Sequence, residues 1–270
     1  MKWPEDRHLA VMVNVCLEGW SKGNTPSVGP MGNLLKSGYF DSQAERWARY
    51  GKSEGMRRLL GILDKEKVKA TVLTSAVIAE ECPDIVRETA AAGHEVCAHS
   101  VAQDILPVYL SETEERENVR RCVVSLEKAA GGRPLGWASP RGTPSPITAT
   151  LLAENGFMWH AEAPESDMPF IQQTPAGKIV VIPFSMEVND MPLYIRYGNS
   201  PETFSRILAR VIEGWYEKHP EYRACLDITV HAHVFGRPYG ALEFQRSIEI
   251  VKAKPWIWLA THQEVASTVL

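Results

Sequence analysis

Gly93-His94-Glu95-Val96-Cys97-Ala98-His99-Ser100-Val101-Ala102-Gln103 reads as a short apolar strand, entered through a turn at His94 and closed by a histidine. Strand ends of this kind carry catalytic groups or metal ligands. A ligand pair ordinarily adds a second histidine three to five residues on, but the fourth residue after His99 is Gln103, a neutral amide. The segment is expected to belong to a hydrolase-type site that keeps one histidine and lacks the simplest means of holding zinc.

Outward from this strand, short apolar runs alternate with amphipathic segments. Strands are expected at Leu9–Cys16, Ala70–Ser75, Glu95–Ala98, Leu135–Ser139, Phe157–Trp159, Ile179–Pro183, Leu226–His231 and Ile257–Ala260. Helical patterns fall near Ser53–Lys67, Ala76–Ala92, Ser111–Ala130, Ser145–Asn155, Pro201–Lys218 and Tyr239–Lys252. Met56, Leu59, Leu60 and Leu63 carry the 3.6-residue period of a one-sided helix. Ser111-Glu112-Thr113-Glu114 has the hydroxyl and carboxylate of a capped helix start. Such alternation predicts an α/β fold with a mostly parallel sheet, open or closed into a barrel. Two stretches interrupt it and are expected to be long loops, residues 19–51 and 164–178. A single domain over residues 1–270 is the expectation from length.

Composition narrows the function classes. The 270 residues are 44% hydrophobic and 23% charged, with a net charge of −4. That balance offers no basic field for nucleic acid or acidic membranes. No apolar run approaches the roughly 20 residues needed to span a bilayer. The N-terminal Met1-Lys2-Trp3-Pro4-Glu5-Asp6-Arg7-His8 has no signal-peptide core, and the five cysteines are scattered without a C-x-x-C pair. Reduced thiols in the cytoplasm are expected.

The polar residues that stand out follow the strands. Glu18 follows the first, His99 the third, Arg141 the fourth and His160 the fifth; Asn189-Asp190 lies beyond the sixth, and His231 closes the seventh. In a (β/α) barrel those ends share the face that carries the active site. This convergence is the case for an enzyme. Arg141 is flanked by Pro140 and Gly142, which fix the backbone. His231 and His233 look like a chelating pair, although the chain there is already turning out of the strand. His94 and His160 read as structural or packing residues, and Cys16 more as a small buried hydrophobe than as a nucleophile.

Six motifs in order complete the pattern: Val13–Gly19, Arg49-Tyr50-Gly51-Lys52-Ser53-Glu54-Gly55, Ala92–His99, Arg133–Trp137 continuing to Arg141, Ile182-Pro183-Phe184 with Asn189-Asp190-Met191, and Val230–His233 continuing to Gly236-Arg237-Pro238. In these the chain resembles the polysaccharide deacetylase (NodB-homology) superfamily, and within it the metal-independent allantoinase and cyclic-imide hydrolase branch. The resemblance implies a distorted (β/α) barrel with about seven strands. Metal-dependent members use an Asp-Asp motif after the first strand and a His-x-x-x-His pair. Here Asn14, Cys16 and Glu18 occupy the first motif and Gln103 breaks the second, so neither metal nor cofactor is expected. Glu18-Gly19, Leu135-Gly136-Trp137, Asn189-Asp190-Met191 and Gly236-Arg237-Pro238 match the allantoinase-like members. Cys16 and Leu17 depart from those members' double glutamate, which puts allantoin in doubt as the substrate.

The implied chemistry is ring opening of a cyclic amide or imide, with a small molecule as the partner. Glu18 would be the base, its carboxyl raised by burial. His231 would be the acid, and His99 with Arg141 would polarise the carbonyl. Cys16, Trp137, Asn189, Asp190 and Arg237 would line or support the substrate site. Two alternatives stand beside it: a metal-dependent deacetylase of an N-acyl amino sugar using Glu18, His99 and either Cys16 or His233, and a catalytically silent binding protein. The resemblance also implies a homo-oligomer, a dimer or a tetramer. Trp20, Tyr39, Phe40 and Trp47 suit either a subunit contact or a self-packed loop.

Overall fold

The computed structural model describes residues 3–27, 35–36 and 38–270. It is built around β1, Leu9–Leu17, whose nine residues are all buried. A strand that is apolar on both faces suits the centre of a parallel sheet covered on each side. The elements that follow are α1 (Ser42–Tyr50), α2 (Met56–Glu66), β2 (Thr71–Thr74), α3 (Ala76–Glu81), α4 (Pro83–Ala91), β3 (Glu95–Ala98) and α5 (Glu112–Ala130). Next come β4 (Gly136–Trp137), α6 (Thr148–Glu154), β5 (Trp159–His160), β6 (Phe170–Thr174), β7 (Gly177–Val181) and α7 (Glu202–Val211). The chain finishes with β8 (Ala224–His231), α8 (Pro238–Lys252), β9 (Ile257–Ala260) and α9 (His262–Val269).

The strands form one sheet in the order β6-β7-β5-β4-β3-β2-β1-β8, with β9 also on β1. It curls into the half-barrel of a distorted (β/α) barrel. β6 alone runs antiparallel, as a hairpin with β7. Along one edge of β1, residues 9–12 pair with β9 and residues 14–17 with β2. Its other edge pairs with β8 from Leu9 opposite Ala224 to Cys16 opposite His231. Beyond β8, Asn189 bridges to Thr229, which carries the next residue, Asp190, to the end of the barrel where β8 delivers His231.

Period-2 alternation sorts the side chains of β1. Leu9, Val11, Val13, Val15 and Leu17 enter the layer under the helices, with Leu59, Leu63, Val119, Leu126, Phe204 and Phe244. Full burial of each contributes about 1.5–3 kcal/mol. Ala10, Met12 and Cys16 face the interior with Trp3, Leu73, Cys97, Trp159 and Val180. Below the site the interior is polar: Asn14 donates to Asp227, whose other oxygen accepts from Ser185 N at 2.8 Å, and His262 Nε2 lies 3.3 Å from Asp227. These partners satisfy the buried Asp227 carboxylate, which would otherwise be costly, while Asn14 Oδ1 and His262 Nε2 make no hydrogen bond.

Several expectations change in detail. The stretch 164–178 is not a loop throughout, because Phe170–Thr174 and Gly177–Val181 close into the β6–β7 hairpin around Pro175-Ala176. The stretch 19–51 contains α1, started by Asp41 accepting from Gln43 N and Ala44 N; its residues 28–34 and 37 lie outside the described residues. The helix expected at Ala76–Ala92 is two, because Pro83 stops α3 and opens α4. Ser111 and Glu114 do form a capping box at the start of α5. No helix among the described residues is long and apolar enough to cross a membrane.

Candidate active site

The alternation that buries Cys16 inside the barrel continues past the end of β1 and aims Glu18 the same way. The next residue, Gly19, runs so close to α3 that a Cβ would stand 2.6 Å from Val77 Cγ2 and 2.9 Å from Ile78 Cδ1. A side chain at residue 19 would therefore push the loop, and Glu18 with it, away from its place. β3 delivers His99, after which the chain turns sharply with Ser100 in the left-handed region at φ 59°. Ser100 Oγ lies 2.8 Å from Ile105 O and 3.0 Å from Asn118 Oδ1, and Asn118 also accepts from Val101 N. Those contacts hold a conformation that a non-glycine residue rarely adopts.

These strand ends meet at Glu18. Its Oε1 is 3.6 Å from His99 Nε2 and 3.5 Å from His231 Nε2, and its Oε2 is 3.9 Å from His233 Nδ1. His99 Nδ1 lies 2.6 Å from Ala138 O; a carbonyl only accepts, so Nδ1 carries the hydrogen and Nε2 faces Glu18. His231 Nδ1 is 2.6 Å from Asp190 Oδ1. Asp190 is fully buried and also accepts from His231 N at 2.8 Å and Phe235 N at 3.2 Å. The carboxylate thus fixes both the ring and the backbone of His231.

The charges differ from the expected ones. Burial pushes the Glu18 carboxyl up, but His231, His99 and His233 outweigh it and hold it well below the ordinary carboxylate value. Burial likewise disfavours the His231 imidazolium, yet Cys16, Asp190 and Glu18 keep it well above the ordinary imidazole value. The resting pair is a carboxylate facing an imidazolium. Burial lowers His233 to about 4, so this third imidazole stays neutral. The Cys16 thiol is raised by burial.

The cluster forms the floor of a cavity of about 590 Å³, within the size range of small-molecule sites. Leu73, Trp20, Phe184, Met186 and Met191 give it apolar walls, and Ser139, Asn189 and Gln103 add polar groups. Of the sequence candidates, Cys16, Glu18, His99, Arg141, Asn189 and His231 line it. Arg141 does so from an exposed position at φ 58°, away from the Glu18 cluster.

Three candidates lie elsewhere. Trp137 points into the helix-side layer, edge-on to Phe157, and its Nε1 donates to Ser139 Oγ at 3.0 Å; strand alternation turns it away from the interior. Arg237 stacks over the Trp47 and Tyr50 rings, 3.7 and 4.0 Å from their centroids, and donates to His233 O. It braces the loop behind His233 and does not line the cavity. Asp190 stands behind His231 rather than beside a ligand.

His94 accepts from Ala70 N, and His160 pairs with Gln172, as structural residues do. Tyr39 and Phe40 are exposed, while Trp20 lines the cavity and Trp47 lies under Arg237.

Two lining residues had no signal beyond their type. Glu162 Oε1 accepts from Ser139 N at 2.6 Å while its Oε2 is buried without a partner, and burial raises the carboxyl to about 7. Arg196 ends the π-helical turn Met191–Arg196 and reaches the cavity from an exposed position.

The ligand set expected for metal-dependent deacetylases does not fit here. Gln103 directs its amide nitrogen at Ser75 Oγ and His99 O, and Asn14 is tied to Asp227 and Thr229. A different trio, Cys16, Glu18 and His231, brings its donor atoms within 4.8 Å of one another. To serve as ligands, His231 would have to surrender its proton and the buried Cys16 thiol would have to ionise.

Residues 40–159 match the polysaccharide deacetylase family. Over 248 residues the chain is 23% identical to the peptidoglycan deacetylase of Helicobacter pylori, covering 80% of this chain and 84% of that protein. A crystal structure of a probable polysaccharide deacetylase from Pseudomonas aeruginosa PAO1 superposes with a TM-score of 0.87 at 26% identity, covering 98% of this chain and 92% of the other. The crystal structure of PuuE allantoinase does so with a TM-score of 0.88 at 26% identity, covering 98% and 91%.

Proposed function

We propose, for a chain that carries a polysaccharide deacetylase domain of the NodB type and sits among hydrolases of C–N bonds, that the strand-end cavity opens a cyclic amide or imide by general acid–base catalysis without a metal. The observation that carries this reading is Glu18 Oε1 lying 3.5 Å from Nε2 of the His231 ring, whose Nδ1 is braced by Asp190 at 2.6 Å. Base and acid stand side by side in the protonation states that the reaction consumes.

In this reading Glu18 removes a proton from water, and the oxygen adds to the ring carbonyl. His231 Nε2 gives its proton to the departing nitrogen as the C–N bond breaks. One C–O bond forms, and the proton taken by Glu18 returns to His231 for the next cycle. His99 sits beside Glu18 and orients it. An imide releases a stabilised amide anion and so needs less electrophilic help than an N-acetyl sugar. A mostly apolar cavity of about 590 Å³ suits a small ring.

The low value of Glu18 makes it a weaker base than one tuned to neutrality. It also keeps the group ionised across the whole neutral range. Displacing its histidine contacts with substrate would restore basicity at the moment of use.

The Cys16–Glu18–His231 trio favours a second reading, a metal-assisted deacetylase acting on an N-acyl group. One screen tests both. Purified protein is assayed for metal content and offered hydantoin, dihydrouracil, succinimide, glutarimide, phthalimide and allantoin, alongside an N-acetylated sugar oligomer. Ring opening that survives chelator supports the acid–base reading. Activity on the sugar alone, lost in chelator and restored by zinc, overturns it.

A further inference from the structure

We propose that the substrate carries a carboxylate beyond the bond to be cleaved, and that Arg196, together with Arg141, binds it at the cavity mouth. The proposal rests on the ring-hydrolase reading of this cavity and specifies its substrate class. Both residues line the cavity from exposed positions, and neither side chain makes a hydrogen bond or ion pair with any described residue. Elsewhere on the surface Arg57, Arg116, Arg120, Arg121 and Arg223 each pair with a carboxylate. The cavity's own acids leave the mouth uncompensated, because Glu18 is enclosed by imidazoles and Glu162 is raised to about 7. Two positive charges therefore stand at the mouth of a mostly apolar chamber whose firmly ionised acid, Glu18, is turned to the histidines at its floor.

The backbone presents both groups. Arg141 sits at φ 58° in a tight turn between Pro140 and Gly142. Arg196 ends the π-helical turn that begins directly after Asp190, the residue that holds His231. Turns of this type concentrate at functional sites. The same short segment thus anchors the acid at the cavity floor and carries a cation to its rim. A planar guanidinium fork matches a carboxylate with two parallel hydrogen bonds. A ring whose amide lies at the floor and whose carboxylate lies at the rim would be held at both ends.

The test compares hydantoin with hydantoin-5-acetate. Dissociation constants are measured by calorimetry on the wild type, Arg196→Ala and Arg196→Lys, and hydrolysis of both rings is followed separately. The wild type is expected to bind the acid at least ~10-fold more tightly than the parent ring, as a charge-assisted contact would give. That preference should shrink with added salt. Arg196→Ala should remove most of it, and Arg196→Lys should retain part, keeping the charge without the fork. Equal affinity for the two rings in the wild type, no binding of the acid, or an unchanged preference in Arg196→Ala overturns the proposal. Hydrolysis of both rings without preference defeats it while leaving the ring-hydrolase reading intact. Selective binding of the acid with neither ring opened does the reverse.

Discussion

Replacing Asp190 by asparagine changes one atom type at a fully buried position and tests the acid half of the site. The carboxylate accepts three hydrogen bonds, from His231 Nδ1 at 2.6 Å, His231 N at 2.8 Å and Phe235 N at 3.2 Å. An amide of the same shape has one oxygen and one donor nitrogen. If its oxygen keeps the imidazole, its NH2 confronts two backbone N–H groups; if it keeps the backbone, the imidazole loses its acceptor. The negative charge that helps hold the His231 proton is gone in both cases. A hydrogen bond to a charged group contributes about 1.5–3 kcal/mol, so kcat/KM should fall roughly 10- to 150-fold.

The pH profile gives the sharper reading. His231 is raised in the folded protein, so its acid form persists through neutrality and is lost as pH rises through that raised value. In Asp190→Asn the alkaline limb should move down toward the ordinary imidazole value of about 6.5. Unsatisfied backbone donors should also lower stability by about 1–3 kcal/mol. The assay follows loss of imide ultraviolet absorbance from pH 5 to 10, with urea unfolding alongside. A variant with kcat/KM within twofold of wild type and an unmoved alkaline limb would refute the role given to Asp190 and His231.

Glu18→Gln should cut kcat/KM by about 10²-fold or more while the protein still melts cooperatively; normal turnover removes the base assignment. In the wild type the acid limb should lie below the ordinary carboxylate range, because Glu18 is held ionised there; a limb at pH 5–6 would contradict this. Glu162 is raised to about 7, so its ionisation opposes folding, and stability should fall as pH rises from the ordinary carboxylate value through 7. Glu162→Gln should abolish that slope, worth up to about 3 kcal/mol between pH 5 and 8, and parallel urea midpoints for the two proteins would disprove the shift. At Gly55 a Cβ would stand 1.9 Å from Ala232 O, so Gly55→Ala should cost about 1–3 kcal/mol or more through forced backbone movement; an unchanged melting temperature would show that the contact is slack.

Most of the barrel was legible because its strands are short branched-apolar runs bounded by turn residues, as Leu9–Cys16 and Leu226–His231 are. The meeting of Glu18, His99 and His231 followed from strand ends alone, since parallel strands collect them on one face. β6 was missed because Phe170–Thr174 is an exposed edge strand whose Gln172, Gln173 and Thr174 carry no apolar alternation. The break at Pro83 did have a signal, a proline inside a helical pattern.

The charge state of Glu18 was misjudged for a different reason. Burial was foreseeable, but three imidazoles within 4 Å of one carboxylate arise only when the closure of β8 onto β1 adds His231 and His233 to the His99 that β3 delivers. Trp137 was placed in the site because its motif neighbours are there, whereas alternation along β4 sends it to the other face. Glu162 and Arg196 are ordinary residue types in ordinary settings. Their interest comes from an unpaired oxygen and an unpaired cation, which no pattern of letters records.

The pairing of β1 with β8 and β9 has a consequence for how the molecule is made. During synthesis the first strand emerges with Glu18 attached, yet β8, which covers one whole edge, β9, which covers the start of the other, and the imidazolium that Glu18 faces are encoded near the other end. A ribosome-bound chain therefore exposes a ribbon with Asn14 as its one polar side chain for most of translation, and the proposed chemistry is incomplete until the last quarter is released. Contacts so distant in sequence close slowly and leave an interval open to aggregation. Cellular yield should accordingly depend on holdase chaperones more than the finished fold's stability would suggest.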